Sequence, residues 1–474
     1  MKDVIVKDVI VVGAGLAGLV AARELRRAGL SVQVIEAAPA VGGRMVRAPL
    51  NQEGAGPAGA RPPAWIDLGG QWVGATHSRF RSLLEAHGLR RFPSPHDGET
   101  VLCFGSHRCT FSGFFQGFPE GQPPSVPRAD WQDAMQALER FQELVASLPE
   151  GHPHHHPDAD ALDRLSFQDW IEAHTHTPFA AWYFAYFCRA VGFLGPAEPD
   201  QVSLLHVAWG QRTAPQGDHP EEELIHGGAG QLPALLAGGL EDALVLGEPV
   251  RAIHQPEGPA GPGAEGTVTV TTDNGCHHGR AVIVAMPPAM AGAIRFSPAL
   301  PADRRALHKG MAMGRCTKVL VAYRSPWWRQ AGLAGIGIGD RPWVELCADS
   351  SDPETGLGVI AAFVAGRRQE RWSALGPEPR RAAVLEDLAA YFGPMALEPL
   401  DYVEKDWPRE PFVGGAFAGW MPPGLWTGSG DALLRPHGRV FWAGTEVAER
   451  WPGFFEGAVA SGERAAAEVV ALLG

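Results

Sequence analysis

The feature that most constrains the fold is the run "DVIVVGAGLAGLVAARELRRAGLSVQVIE", Asp8 to Glu36. A β-branched strand, Val9 to Val12, leads into Gly13-Ala14-Gly15-Leu16-Ala17-Gly18. A helical pattern then covers Leu19 to Arg27, and a second strand, Ser31 to Ile35, ends at Glu36. GxGxxG spacing alone says little; between a strand and a helix of one βαβ unit it reads as a dinucleotide cradle. Gly13 permits the tight turn, Gly15 lets a pyrophosphate approach the backbone, and Gly18 allows close helix–strand contact. Leu16 and Ala17 open the helix, where free N–H groups and the positive end of the dipole favour phosphate. Glu36, with Ala37 beside it, is spaced to accept hydrogen bonds from ribose hydroxyls. "GGR", Gly42 to Arg44, follows; Gly43 and the Arg44 guanidinium add a second turn and a cation beside the pyrophosphate, which favours FAD over NAD.

Composition narrows the partners. The 474 residues suffice for two domains with a cofactor between them, and a formal charge of −13 argues against nucleic acid. The six cysteines form no CxxC pair and no zinc-like cluster, as expected of reduced thiols in a cytoplasmic protein; pairing of Cys103 with Cys109 across a short hairpin stays open. "MKDVIVKDVI" has acids where a signal peptide has an apolar stretch, and "VIVVGAGLAGLVAA" is too short and glycine-broken to span a bilayer, so no membrane partner is expected. "GHPHHHPD" carries His152, His154, His155 and His156. The histidines invite a metal reading, but prolines on both sides and the lack of helical spacing favour a solvated loop and no metal. Leu50 to Trp65 and Pro256 to Gly266 are Gly/Pro-rich and read as loops. Monomer and homodimer both remain open.

Three segments together are similar to the flavin-dependent amine oxidase family, in particular its monoamine oxidase branch. They are the βαβ unit through "GGR", "IDLGGQWVG" (Ile66 to Gly74) and "GRVFWAGTEVAERWPGFFEGAVASGERAA" near the carboxyl end. "HGGAGQLPALLAGGL", "VIVAMPP", "MGRCTKVLVAYRSPWW" and "DWPREPFVGGAFAGWMPPG" extend the match over nearly the whole chain, more weakly from about 80 to 220. The resemblance implies an α/β (mixed α+β) fold. A Rossmann-like FAD domain would be built from 1–79, 226–303 and 410–474, and a sheet-plus-helices substrate domain from 80–225 and 304–409.

It also implies a site. Gly69, Gly70, Gln71, Trp72, Val250, Trp407, Gly444 and Glu446 would lie along FAD, and the Phe455 N–H would face the flavin at the start of the last helix, with Gly453 and Gly457 allowing close approach. Phe417 and Phe454 match two aromatics that flank the amine; both positions are often tyrosine in the family. Lys318 matches the lysine that bonds through water to flavin N5. Ala416 stands where eukaryotic members attach flavin through cysteine, so the FAD is expected to be non-covalent. The implied reaction moves a hydride equivalent from the α-carbon of a primary amine, with aryl-alkyl amines as candidates, to N5, then yields aldehyde, ammonia and, with O2, H2O2.

Other substrates stay open. A diamine or polyamine needs a carboxylate deep in the cavity, and Glu221 in "HPEEEL" is the candidate, although an acidic run usually marks a solvated loop. An L-amino acid needs an arginine for its carboxylate, and "DLGGQWVGATHSRF" has none before Arg79. A membrane-associated carotenoid-desaturase-like flavoprotein and a non-catalytic flavin-binding protein are the readings from other classes.

Overall fold

Val9 to Val12 form an unbroken apolar run because the strand Val6–Val12 is central in its sheet, and all four side chains are buried. It pairs in parallel with Val32–Ile35 on one side and with Cys276–Ala285 on the other. Strands Leu244–Val245, Val250–His254, Val268–Thr272, Arg295–Ser297 and Val440–Ala443 complete an eight-stranded sheet. The computed structural model describes residues 5–51, 64–113, 121–191, 195–214, 220–257 and 266–474. The loops expected at Leu50 to Trp65 and Pro256 to Gly266 therefore lie mostly outside the described residues.

The two ends of the chain meet on this sheet. The helix after the glycine turn, Leu16–Arg27, begins three residues before the apolar pattern suggests, because Gly15 in extended conformation serves as its N-cap. It packs against the last helix, Phe455–Leu473, through Leu16, Ala17 and Val20 on one side and Val459, Ala465 and Ala466 on the other. A side-chain carbon on Gly462 would sit 2.4 Å from the Ala17 carbonyl oxygen, so the glycine sets how closely the helices cross.

A second sheet of seven strands runs in the order Asp401–Asp406, Cys316–Tyr323, Gly358–Ala365, Leu346–Asp349, Leu333–Gly339, Glu99–Phe104, His107–Phe111. Helices Arg128–Ser147, Phe167–His174, Pro178–Tyr186 and Leu204–Thr213 share a separate apolar cluster rich in Phe and Trp. Cys103 and Cys109 do sit in adjoining strands, but Cys103 lies opposite Arg108 and Cys109 opposite Leu102. Facing residues share one side of a ladder, so the two thiols point to opposite faces; both are free.

Within the histidine run His155 is exposed, as a solvated loop would have it, but His154 is not. Pro153–His155 is a turn of 3-10 helix, and the His154 side chain is only 6% exposed, stacked on Trp426 and bonded through Nε2 to Asp431. Buried Pro153 anchors the turn, and the residues that receive it lie almost 280 positions away, out of reach of local pattern.

Candidate active site

A cavity of about 580 Å³ runs from the glycine cradle of the first sheet to the face of the second. Most of the residues expected at the cofactor line it, together with Lys318, Phe417, Phe454, Ala416 and Glu221; Gly18 and Glu446 stand just behind the wall. At the glycine-rich end Gly13 has φ +104°, and a side-chain carbon there would lie 2.7 Å from the Ala285 carbonyl oxygen. On Gly18 that carbon would fall 2.0 Å from the Gly13 carbonyl oxygen, whereas Gly15 meets nothing within 4 Å and opens on the cavity. The three glycines thus divide into two that shape the turn and one that leaves room for a ligand. The Glu36 carboxylate takes N–H bonds from Ala14 at 2.6 Å and Ala38 at 2.8 Å, which fixes its position at the strand end.

Arg44 does more than the cation expected beside a pyrophosphate. It lines the cavity, but its guanidinium pairs with Glu446 at 2.5 and 3.2 Å and donates to the Phe417 carbonyl at 2.6 Å. Glu446 also accepts from the Gly419 N–H at 3.2 Å. One ion pair therefore ties the glycine-rich amino end, the Ala416–Trp420 strand and the "AGTE" turn together. Phe417 is held there with φ +56°, a left-handed conformation that an aromatic residue adopts only under constraint, and the residue is 39% exposed.

The other end of the cavity is walled by aromatics. Trp72, Phe363 and Phe417 follow one another at ring distances of 6.1 and 5.9 Å. Phe454, from the turn before the last helix, packs on Trp451 at 5.1 Å and His77 at 5.5 Å. Trp451 itself has φ +54°, and a side-chain carbon on Gly457 would lie 2.2 Å from its carbonyl oxygen. Gly457 thus closes this turn, where close approach to a flavin was expected of it. His77 is fully buried; burial lowers its pKa to about 3, so it supports Phe454 as a neutral ring. The Phe455 ring fills the space above Gly70 and contacts Phe80 at 4.6 Å, which seats the helix N-terminus at the cavity.

Lys318 points into this end from a strand buried along its whole length. Its Nζ donates to the Gly69 carbonyl at 2.7 Å and to Gln71 Oε1, while Gln71 Nε2 donates to Ser350 Oγ at 2.7 Å. Burial lowers the lysine pKa to about 7 against the opposing pull of buried Asp67, so a neutral amine is available there near neutral pH. Register explains why Phe363, which sequence reasoning missed, stands beside it: Lys318 lies opposite Phe363, and Phe363 opposite Leu346. All three line the cavity. Trp407 donates to the Leu68 carbonyl at 3.0 Å and closes the same wall.

Of the acidic run, the structure selects one residue. Glu223 belongs to the strand Glu223–Ile225 and is paired with Arg81 and Arg91 at 3.0 and 2.7 Å. Glu221 is buried and lines the cavity. Among the described residues, no helix is long and apolar enough to cross a membrane.

A glycine cradle, a helix start and a buried lysine around one cavity define a dinucleotide-cofactor oxidoreductase. The chain belongs to the flavin-containing amine oxidoreductase family, whose model matches residues 16–470. It is therefore a flavin-dependent, amine-oxidising enzyme of mixed α/β fold. It is 52% identical to an L-amino acid dehydrogenase of Synechocystis sp., over 98% of this chain and 95% of the relative. It is 29% identical to flavin-containing amine oxidase A of Equus caballus, over 98% of this chain and 85% of that protein. Among solved structures, cyclohexylamine oxidase from Brevibacterium oxydans IH-35A superposes with a TM-score of 0.87 at 30% identity, over 98% of this chain and 99% of that one. Putrescine oxidase bound to putrescine gives 0.87 at 29%, over 99% and 100%.

Proposed function

We propose that this enzyme oxidises the CH–NH2 bond of L-amino acids, that the cofactor is FAD held without a covalent bond, and that Glu221 receives a positively charged side chain. The observation that carries the substrate reading is the 52% identity, over almost the full length of both chains, to a protein named L-amino acid dehydrogenase. The cofactor reading rests on the cradle geometry, the Glu36 carboxylate fixed at the end of the second strand, and an alanine, Ala416, where the family resemblance has its attachment cysteine. The first sheet and the tail helix are taken as the FAD domain, and the second sheet with its helices as the substrate domain, within the boundaries expected from sequence.

FAD bound in this cavity would supply the two-electron acceptor for the hydrogen leaving the α-carbon. The chain supplies the setting. Phe417 and Phe454 present ring faces to the substrate as it arrives in its ammonium form, an attraction of about 1 kcal/mol and more where water is excluded. Phe363 and Leu346 keep that end apolar, which disfavours the ammonium form and supplies the uncharged amine the reaction needs. Lys318, positioned by Gly69 and Gln71, offers an amine that holds or releases a proton near neutral pH. Water converts the resulting imine to the carbonyl compound and ammonia, with O2 as the proposed final acceptor and H2O2 as its product.

A second reading, primary amines or diamines, is favoured by one feature: among the described residues at the substrate end no arginine offers a fork to a carboxylate, while Glu221 suits a distal ammonium. The test is a panel of L-lysine, L-arginine, L-phenylalanine, putrescine and phenethylamine, read by peroxide release and by dye reduction in parallel. Turnover of L-amino acids, with the cationic ones weakened selectively by Glu221→Gln, supports the proposal. Turnover of amines alone supports the second reading, and no turnover of any member by either readout overturns both.

A further inference from the structure

Outside the cavity, a different group of side chains is arranged for coordination. His152, His154 and His155 each present one ring nitrogen, and these nitrogens all lie within 4.8 Å of one another. The carboxylate of Asp431 stands beside two of them: its Oδ1 is 2.9 Å from His154 Nε2 and 3.3 Å from His155 Nε2. In a tetrahedral site with bonds of about 2.0 Å, neighbouring donor atoms stand about 3.3 Å apart. The Asp431–His155 distance already equals that spacing, and the three imidazole nitrogens lie within 4.8 Å of one another. We infer that His152, His154, His155 and Asp431 form a binding site for a nitrogen-preferring divalent cation of the zinc type.

Three further features make this a built arrangement. The 3-10 turn Pro153–His155, with Pro153 buried and the His155 N–H bonded to the His152 carbonyl at 3.0 Å, fixes the backbone that carries the rings. The His154 ring is clamped between Trp426, stacked at 17° and 5.7 Å, and the backbone of Gly430, where a side-chain carbon would come within 2.4 Å of Nδ1. Glycine at 430 therefore lets the segment bearing Asp431 close on the ring. His152 and His155 stack on each other at 22° with ring centroids 5.1 Å apart, His152 half-buried and His155 exposed. Three neutral imidazoles and one carboxylate suit zinc, nickel or copper and not calcium or magnesium, which take oxygen. The cation would staple the helical region at residues 152–155 to the segment 424–432, which continues from the strand carrying Phe417.

The experiment uses chelator-treated holoenzyme, titrated with zinc sulfate and then magnesium sulfate by calorimetry, with the melting temperature followed alongside. The expected result is one zinc per chain at micromolar concentration, a higher melting temperature with zinc, and no response to magnesium. His155→Ala and Asp431→Asn, both at exposed positions and checked by retained flavin content, each weaken zinc binding by at least about tenfold. Zinc binding only at millimolar concentration, or micromolar binding that both variants leave unchanged, would overturn the assignment.

Discussion

Replacing Lys318 by methionine removes a titrating group while keeping an unbranched side chain of similar length in the same strand. Burial lowers the lysine pKa from 10.5 to about 7. Between those values the unfolded chain carries a proton that the folded chain does not, so this side chain makes stability rise with pH from about 7 upward. Charging it in the fold costs about 5 kcal/mol relative to water. Most of that cost is already felt at pH 7 and is relieved as the pH rises, so the unfolding free energy of wild type minus variant should increase by about 2 kcal/mol between pH 7 and pH 9. The variant also leaves the Gly69 carbonyl and Gln71 Oε1 without their donor, a cost of about 1–3 kcal/mol that does not depend on pH. Urea unfolding of both flavin-saturated proteins across that range measures the difference. A difference that is flat or falls with pH would refute the placement of Lys318 as a buried amine that is neutral above pH 7.

Other perturbations follow from the same geometry. Phe454→Ala and Phe417→Ala should each lower kcat/KM by about fivefold or more, as expected for losing roughly 1 kcal/mol of ring-face attraction, with flavin content unchanged; steady-state kinetics on the best panel substrate reads this. Glu446→Gln leaves the Arg44 guanidinium without its carboxylate, and should destabilise the holoenzyme by about 3 kcal/mol in thermal or urea unfolding. Gly18→Ala forces a carbon against the Gly13 carbonyl oxygen and should yield protein with much less flavin per chain, read from the ratio of visible to ultraviolet absorbance.

How much of this was legible in the sequence follows from where the information lies. The glycine cradle and Glu36 could be read directly, because strand, turn and helix are contiguous and their spacing is set by local geometry. Lys318, Phe417 and Phe454 came from motif resemblance, and the cavity brings all three together. Phe363 and Leu346 carry no local mark as site residues. They reach the cavity through cross-strand register with Lys318, which a single sequence does not encode visibly. The run Glu221 to Glu223 has no periodicity to say which acid turns inward. Its pairing with Arg81 and Arg91 across chain distance takes Glu223 away, while Glu221 lines the cavity. Arg44 lines the cavity, but its hold on Phe417 depends on a partner 373 residues away. The burial of His154 escaped notice for the same reason, since its receiving surface is Trp426 and Asp431.

The central claim is that this cavity holds a flavin reduced by an amine-bearing substrate at the Phe417–Phe454 end. Anaerobic addition of L-lysine or L-arginine to the purified yellow protein, followed by its visible spectrum, tests that directly. The account predicts bleaching of the flavin bands in wild type and much slower bleaching in Lys318→Met. A spectrum that no L-amino acid, monoamine or diamine alters would contradict it.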